Sequence, residues 1–161
     1  MAALVLPVMA QRGIEPTHYF KLINCLPATP SGYTSSKPQG AKITNTSGIL
    51  VTEANRQYAN KTNRDKVIRI KITDGAYNRS LYGEFERTED FKKEWADGYF
   101  KGYKLDGYPV HERYSGYKAE ATLRGVVEGR FIIEINGFAV GPGELIEWWR
   151  RTSIKGLAAM H

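Results

Sequence analysis

KAEATLRGVVEGRFIIEINGF, residues 118–138, reads as two strands folded back on each other. Ala121, Leu123 and Val127 on the first run and Phe131, Ile133 and Ile135 on the second put apolar side chains on one side. Alternation with period two is the mark of a strand with one buried face. Glu128-Gly129 between the runs is a turn signal, so 118–127 and 130–138 are predicted as a hairpin. Gly125, inside its strand, predicts a bulge.

The same pattern extends in both directions. Tyr99 to Leu105 and Tyr108 to Tyr114 flank Asp106-Gly107, a two-residue hairpin signal because both residues tolerate positive φ. Lys66 to Thr73 alternates cleanly, with Ile68, Ile70 and Ile72 one way and Arg69 and Lys71 the other. Ala41 to Thr46 and Ile49 to Tyr58 flank a Ser47-Gly48 turn. Ile68, Ile70, Ile72, Leu123, Phe131, Ile133 and Ile135 are predicted to share one buried layer.

Helices are predicted at three places. Thr17 to Leu26 carries Tyr19, Phe20, Ile23 and Leu26 at helical spacing and is stopped by Pro27 and Pro30. Ser80 to Trp95 has Leu81, Phe85, Thr88 and Trp95 near one stripe, with Thr88 as an internal N-cap that divides it into two short helices. Pro142 suits the first turn of a last helix, whose Trp148-Trp149 pair offers two rings of which a helix buries only one well. Ile154, Leu157 and Met160 continue into a short terminal turn. The sum is an α+β fold, an antiparallel meander with helices packed on it.

Composition bounds the rest. The chain has 161 residues, 42% hydrophobic and 25% charged, enough for one domain with its own core. The net charge is +6, from 23 basic and 17 acidic residues. The single cysteine, Cys25, excludes an internal disulfide and reads as a buried small hydrophobe. His18, His111 and His161 are scattered, so no metal set is expected, and no cofactor is either. Residues 1–10 form an apolar run ending in Val8-Met9-Ala10, which resembles a signal-peptide cleavage pattern. The expectation is a signal-peptide remnant at 1–10 and a single domain at 11–161. No segment has the length of a transmembrane span.

Catalytic motifs are missing from the sequence. Gly141-Pro142-Gly143 lacks a backbone donor that a phosphate loop needs and reads as helix entry. Glu84/Glu86 and Glu89/Asp90 read as a solvated helix face. His111 shares a strand face with Arg113 and reads as a lone exposed histidine. Tyr99, Lys101 and Tyr103 loosely fit a base-stacking platform, against cross-strand packing. The feature that stands out is a run of basic residues: Lys61, Arg64, Lys66, Arg69 and Lys71, on a turn and the solvent face of the following strand. Arg113 and Arg124 extend that face. Glu120 and Glu134 on neighbouring strands are the carboxylates that could neutralise it.

Leu26-Pro27, Pro30-x-Gly32-Tyr33, Ile72-Thr73-Asp74, Gly107-Tyr108-Pro109, Gly129-Arg130-Phe131 and the ending Ile154-Lys155-Gly156-Leu157-Ala158 resemble a family of small, uncharacterised bacterial exported proteins. The likeness runs from about residue 15 to residue 160, and the element order is similar to the PsbP-like fold. The resemblance implies export and an accessory or binding role, and no chemistry. Two readings follow. The first is an exported (periplasmic or extracellular) non-catalytic accessory or binding protein with an acidic protein partner, a subunit of a larger assembly being one form of it. The second is a binder of nucleic acid or anionic surfaces through the basic sheet face, for which a cytoplasmic location serves equally. An enzyme with a site assembled from distant residues is the outlying third.

Overall fold

The computed structural model describes residues 14–44, 46–85 and 90–160. The expected leader at 1–10 and the Thr88 cap lie outside these residues. Among these residues nine antiparallel strands make one sheet: β1 (Tyr33–Ser35), β2 (Gln39–Thr44), β3 (Leu50–Asn60), β4 (Val67–Asp74), β5 (Phe91–Trp95), β6 (Gly98–Leu105), β7 (Tyr108–Ser115), β8 (Glu120–Val127) and β9 (Phe131–Phe138). The order across the sheet is β1-β3-β4-β9-β8-β7-β6-β5, with β2 also on β3. Two meanders, β2-β3-β4 and β5 to β9, therefore meet along one seam where β4 pairs β9. Mainly antiparallel sheet with a few short helices is the α+β arrangement that the alternating sequence predicts.

Among the described residues three short helices cover one face: α1 (Tyr19–Ile23), α2 (Leu145–Arg151) and α3 (Ile154–Ala158). Beneath them lies the predicted layer: Ile68, Ile70, Ile72, Leu123, Phe131, Ile133 and Ile135 are all buried there, with Leu22, Tyr58 and Leu157. Burying a side chain of this size contributes about 1.5–3 kcal/mol, so the layer dominates stability.

Both predicted hairpins form. Asp106 and Gly107 each take positive φ, and Leu105 pairs Tyr108 across them. At the other, Val127 pairs Phe131, so the hairpin closes one residue later than the 130–138 reading and Arg130 belongs to the connection. Gly125 is not a bulge. Its ladder runs unbroken through Arg124↔Glu134, Gly125↔Ile133 and Val126↔Ile132. The glycine makes room for Trp149, as described below.

Two helix expectations fail. The described parts of Ser80–Trp95 do not form the expected α-helices. Arg79–Leu81 and Gly83–Phe85 are single 3-10 turns, and Phe91–Trp95 is the edge strand β5. Leu81, Tyr82 and Phe85 do bury apolar surface, but against Val126 and Ile132 on the sheet face opposite the helices. Trp148 and Trp149 are both buried: Trp148 against Tyr33 and Tyr58, Trp149 on the sheet at Gly125. α2 packs on β8 and β9, with Trp148 turned toward Tyr33 of β1 and Trp149 onto β8, so its two rings find separate seats. The pair therefore offers no docking patch.

Candidate functional site

Period two assigns each side of the sheet. Even positions of β3, β4 and β7 and odd positions of β6, β8 and β9 point to the helices; the others point away. On the outer face the pairings line up seven strands: Gln57↔Arg69↔Asn136↔Thr122↔Arg113↔Phe100↔Lys93. Adjacent strands lie about 4.8 Å apart, so this row is roughly 29 Å long. It contains no carboxylate. Among the described residues only the two 3-10 turns sit over this face, at its Val126–Ile132 end.

Three shallow grooves follow the row. The first, about 430 Å3, is lined by Gln39, Gln57, Arg69, Lys71, Asn136 and the carboxylate of Glu134 among others. The next, about 420 Å3, includes Arg113, Lys118, Thr122 and the carboxylate of Glu120. The third, about 390 Å3, is enclosed by Lys93, Trp95, Phe100 and Arg113.

The predicted basic residues divide. Arg69, Lys71, Arg113 and Arg124 all point from the outer face. Arg69 donates from Nε to Gln57 Oε1 at 3.0 Å, and its guanidinium lies 4.9 Å from the Phe138 ring centre. Among the described residues no carboxylate pairs with Arg69, Lys71, Lys93 or Arg113. Arg124 is neutralised, by Glu84 from the second 3-10 turn and by Glu134 at 3.8 Å. Glu134 thus acts as the sequence allowed, whereas Glu120 makes no ion pair among the described residues. Lys61 and Arg64 sit on the exposed β3–β4 connection, at the sheet's end and not on its face. Lys66 is a correction. It shares the parity of Ile68 and Ile70, so it points to the helix side, where its Nζ meets Glu144 Oε1 at 2.5 Å. That hydrogen bond raises its pKa above the ordinary lysine value.

Two aromatic expectations change sides. Tyr99, Lys101 and Tyr103 are not a stacking platform, for they face inward around Glu112. That carboxylate is 1% exposed and accepts from Tyr99 Oη at 2.6 Å and Tyr103 Oη at 2.7 Å, with Lys101 Nζ at 3.0 Å. Burial pushes the Glu112 carboxyl up, but these three donors together outweigh it and hold its pKa below the ordinary value. Burial and the Glu112 charge push both tyrosines well up. His111 is not a lone exposed histidine. It stacks on Phe85 at 4.5 Å and meets Phe91 and Phe100 at 5.5 and 5.6 Å. Burial lowers its pKa, which keeps the ring neutral at physiological pH.

The outer aromatic cluster of Phe91, Trp95 and Phe100 is not legible in the sequence, because the four-residue spacing of Phe91 and Trp95 also fits a helix. A second buried charge is likewise not legible there. Arg130 forks onto Asp74 with bonds of 3.0 and 2.9 Å, and also reaches Thr17 Oγ1 and the Met160 carbonyl. Burial raises the Asp74 carboxyl, while the Arg130 guanidinium and the Thr17 and Ala76 amides more than offset this and hold it below the ordinary range. The fork ties the segment before α1 to the end of α3 and serves as structure.

Among the described residues no three His, Cys, Asp or Glu side chains converge to hold a metal ion. No described helix is long and apolar enough to cross a membrane. Cys25 is buried, as its surroundings in the sequence suggested. Among known proteins, no family model, no curated protein and no solved structure matches the chain.

Proposed function

We propose that the chain is a non-catalytic binding protein that takes an anionic partner on the outer face of its sheet. The observation that carries this is the carboxylate-free row: among the described residues Arg69, Arg113 and Lys93 form no ion pair, although Glu134 and Glu120 stand in the walls of the first two grooves. A charge kept unpaired on a surface contributes little to folding, which leaves recognition as its use. Export, an accessory place in a larger assembly and a PsbP-like arrangement belong to the same proposal. They are supported by the apolar stretch at 1–10 and by the motif resemblance.

The test is a paired charge reversal, Arg69→Glu with Lys71→Glu. Wild-type protein should be retained on immobilised heparin and released by rising salt. The double variant should melt at nearly the wild-type temperature and elute at distinctly lower salt. Elution of both proteins at the same salt would overturn the reading.

A further inference from the structure

One end of this face differs from the rest. Lys93 and Trp95 of β5, Phe100 of β6 and Arg113 of β7 line the 390 Å3 groove, two aromatic side chains beside two cations, and its surface is almost wholly apolar. Trp95 is 39% exposed and Phe91 38% exposed, although the core is complete without them. Phe100 meets Phe91 edge-on at 5.1 Å, an arrangement that leaves ring surface facing outward. The Arg113 guanidinium lies 5.9 Å from the Trp95 ring centre. Aromatic faces set between unpaired cations are what a stacked base and its flanking phosphates require.

The remainder of the row narrows the partner. Lys93, Arg113 and Arg69 are two and then three strands apart, so the cations span about 24 Å. That length suits a strand of a few nucleotides, the size of site that small single-strand binders use. The acceptor oxygens of the row are engaged within the sheet. Gln57 Oε1 accepts from Arg69, and Asn136 Oδ1 bonds Thr122 Oγ1 at 2.9 Å. Along the row itself what faces outward is therefore mainly donors, with Glu134 and Glu120 flanking it in the groove walls. A phosphodiester backbone brings only acceptors and matches this; a glycan brings hydroxyls that need acceptors too. An acidic polypeptide would satisfy the cations and leave the rings without a counterpart. A duplex keeps its base faces stacked inside and could use the cations alone.

We infer that this trough is a binding site for a single-stranded polynucleotide, with phosphates on Arg69, Arg113 and Lys93 and a base stacked in the Trp95–Phe100 groove. The inference rests on the anionic-partner reading above and adds the class of partner to it.

The experiment titrates the full chain into a fluorescein-labelled oligothymidylate of about 12 nucleotides, followed by anisotropy from about 50 to 200 mM salt. A duplex of the same length and polyglutamate serve as competitors. Tryptophan emission is read in parallel: Trp148 and Trp149 are buried, so quenching reports a base on Trp95. The expected result is single-strand binding at least tenfold tighter than duplex binding, with quenching. Trp95→Leu should weaken binding about tenfold with the salt slope unchanged, whereas Arg113→Ala should reduce that slope by about one. Duplex binding as tight as the single strand, polyglutamate displacing the oligonucleotide at equal charge, or wild-type affinity in Trp95→Leu would overturn the polynucleotide site and leave the anionic-partner reading standing. No binding to heparin, polyglutamate or oligothymidylate would sink both. Should Trp95→Leu lower the melting temperature, quenching in the wild-type protein decides: emission unchanged at saturation overturns the site.

Discussion

Gly125 of β8 lies directly against the indole of Trp149 from α2. A Cβ at Gly125 would stand 2.8 Å from two carbons of that ring and 2.7 Å from a Val110 methyl. Trp149 is fully buried, so the ring has nowhere to retreat. The contact sets how closely α2 approaches the sheet, and through α2 the seat of Trp148 as well.

Gly125→Ala should therefore destabilise the protein by about 1–3 kcal/mol, as overpacking does. The smaller unfolded-state benefit of alanine works the other way and is outweighed. In a Trp149→Phe background the same change should cost clearly less, because the smaller ring vacates the space. Trp149 Nε1 has no hydrogen-bond partner among the described residues, so phenylalanine sacrifices volume and no bond. Urea midpoints of the four proteins of this cycle give the coupling. Additive effects would show that the two residues are not in contact.

The second prediction concerns acid. Asp74 has its pKa lowered in the folded protein, and Glu112 likewise. A carboxyl with a depressed folded value adds stability above its unfolded pKa of about 4, and loses it as pH falls through the folded value. Stability should therefore decline steeply below about pH 4. Asp74→Asn should cost about 3–5 kcal/mol at neutral pH, since Arg130 is left buried and unpaired. It should also flatten the acid decline, which urea midpoints from about pH 6 to pH 2.5 would show. A decline as steep in the variant as in the wild type would assign it to other groups.

Gly107 isolates backbone strain from packing. Its φ is +91°, and a Cβ there would meet nothing within 4 Å. Gly107→Val should cost about 1–2 kcal/mol, whereas Gly107→Asn, whose side chain tolerates left-handed backbone, should cost less. For a protein of this length 1 kcal/mol is about 2–4 °C in melting temperature, which calorimetry resolves.

The sequence made the strands legible wherever apolar residues alternate over a long run, as at Ile68, Ile70 and Ile72 or Phe131, Ile133 and Ile135. It misled between Leu81 and Trp95 for a definite reason. Leu81/Phe85 and Phe91/Trp95 are each four apart, and a spacing of four fits both a helix stripe and one face of a strand. The two alternatives set the same residues on one side, so pattern alone does not choose between them. Lys66 leaves the basic face although its parity is readable in the sequence, because nearness to Arg64 and Arg69 along the chain is not nearness in space. The row through Arg69, Arg113 and Lys93 was beyond reach for another reason. Its existence depends on β4 pairing β9, and nothing local in either strand names the other as partner.

That seam also governs how the chain reaches its fold. β2 to β4 and β5 to β9 are each built from neighbours joined by short turns or connections, and hairpins of that kind close within microseconds. β4 and β9 are separated by residues 75–130, and their ladder from Val67↔Phe138 to Asp74↔Phe131 is the longest-range pairing in the sheet. Closing so large a loop before its contacts stabilise it is entropically slow. Refolding should thus be paced by the docking of two preformed halves, on a timescale of milliseconds to seconds. Until they dock, the isoleucine edges of β4 and β9 are open to each other and to any other chain nearby, which makes this seam the place where crowded refolding would go astray.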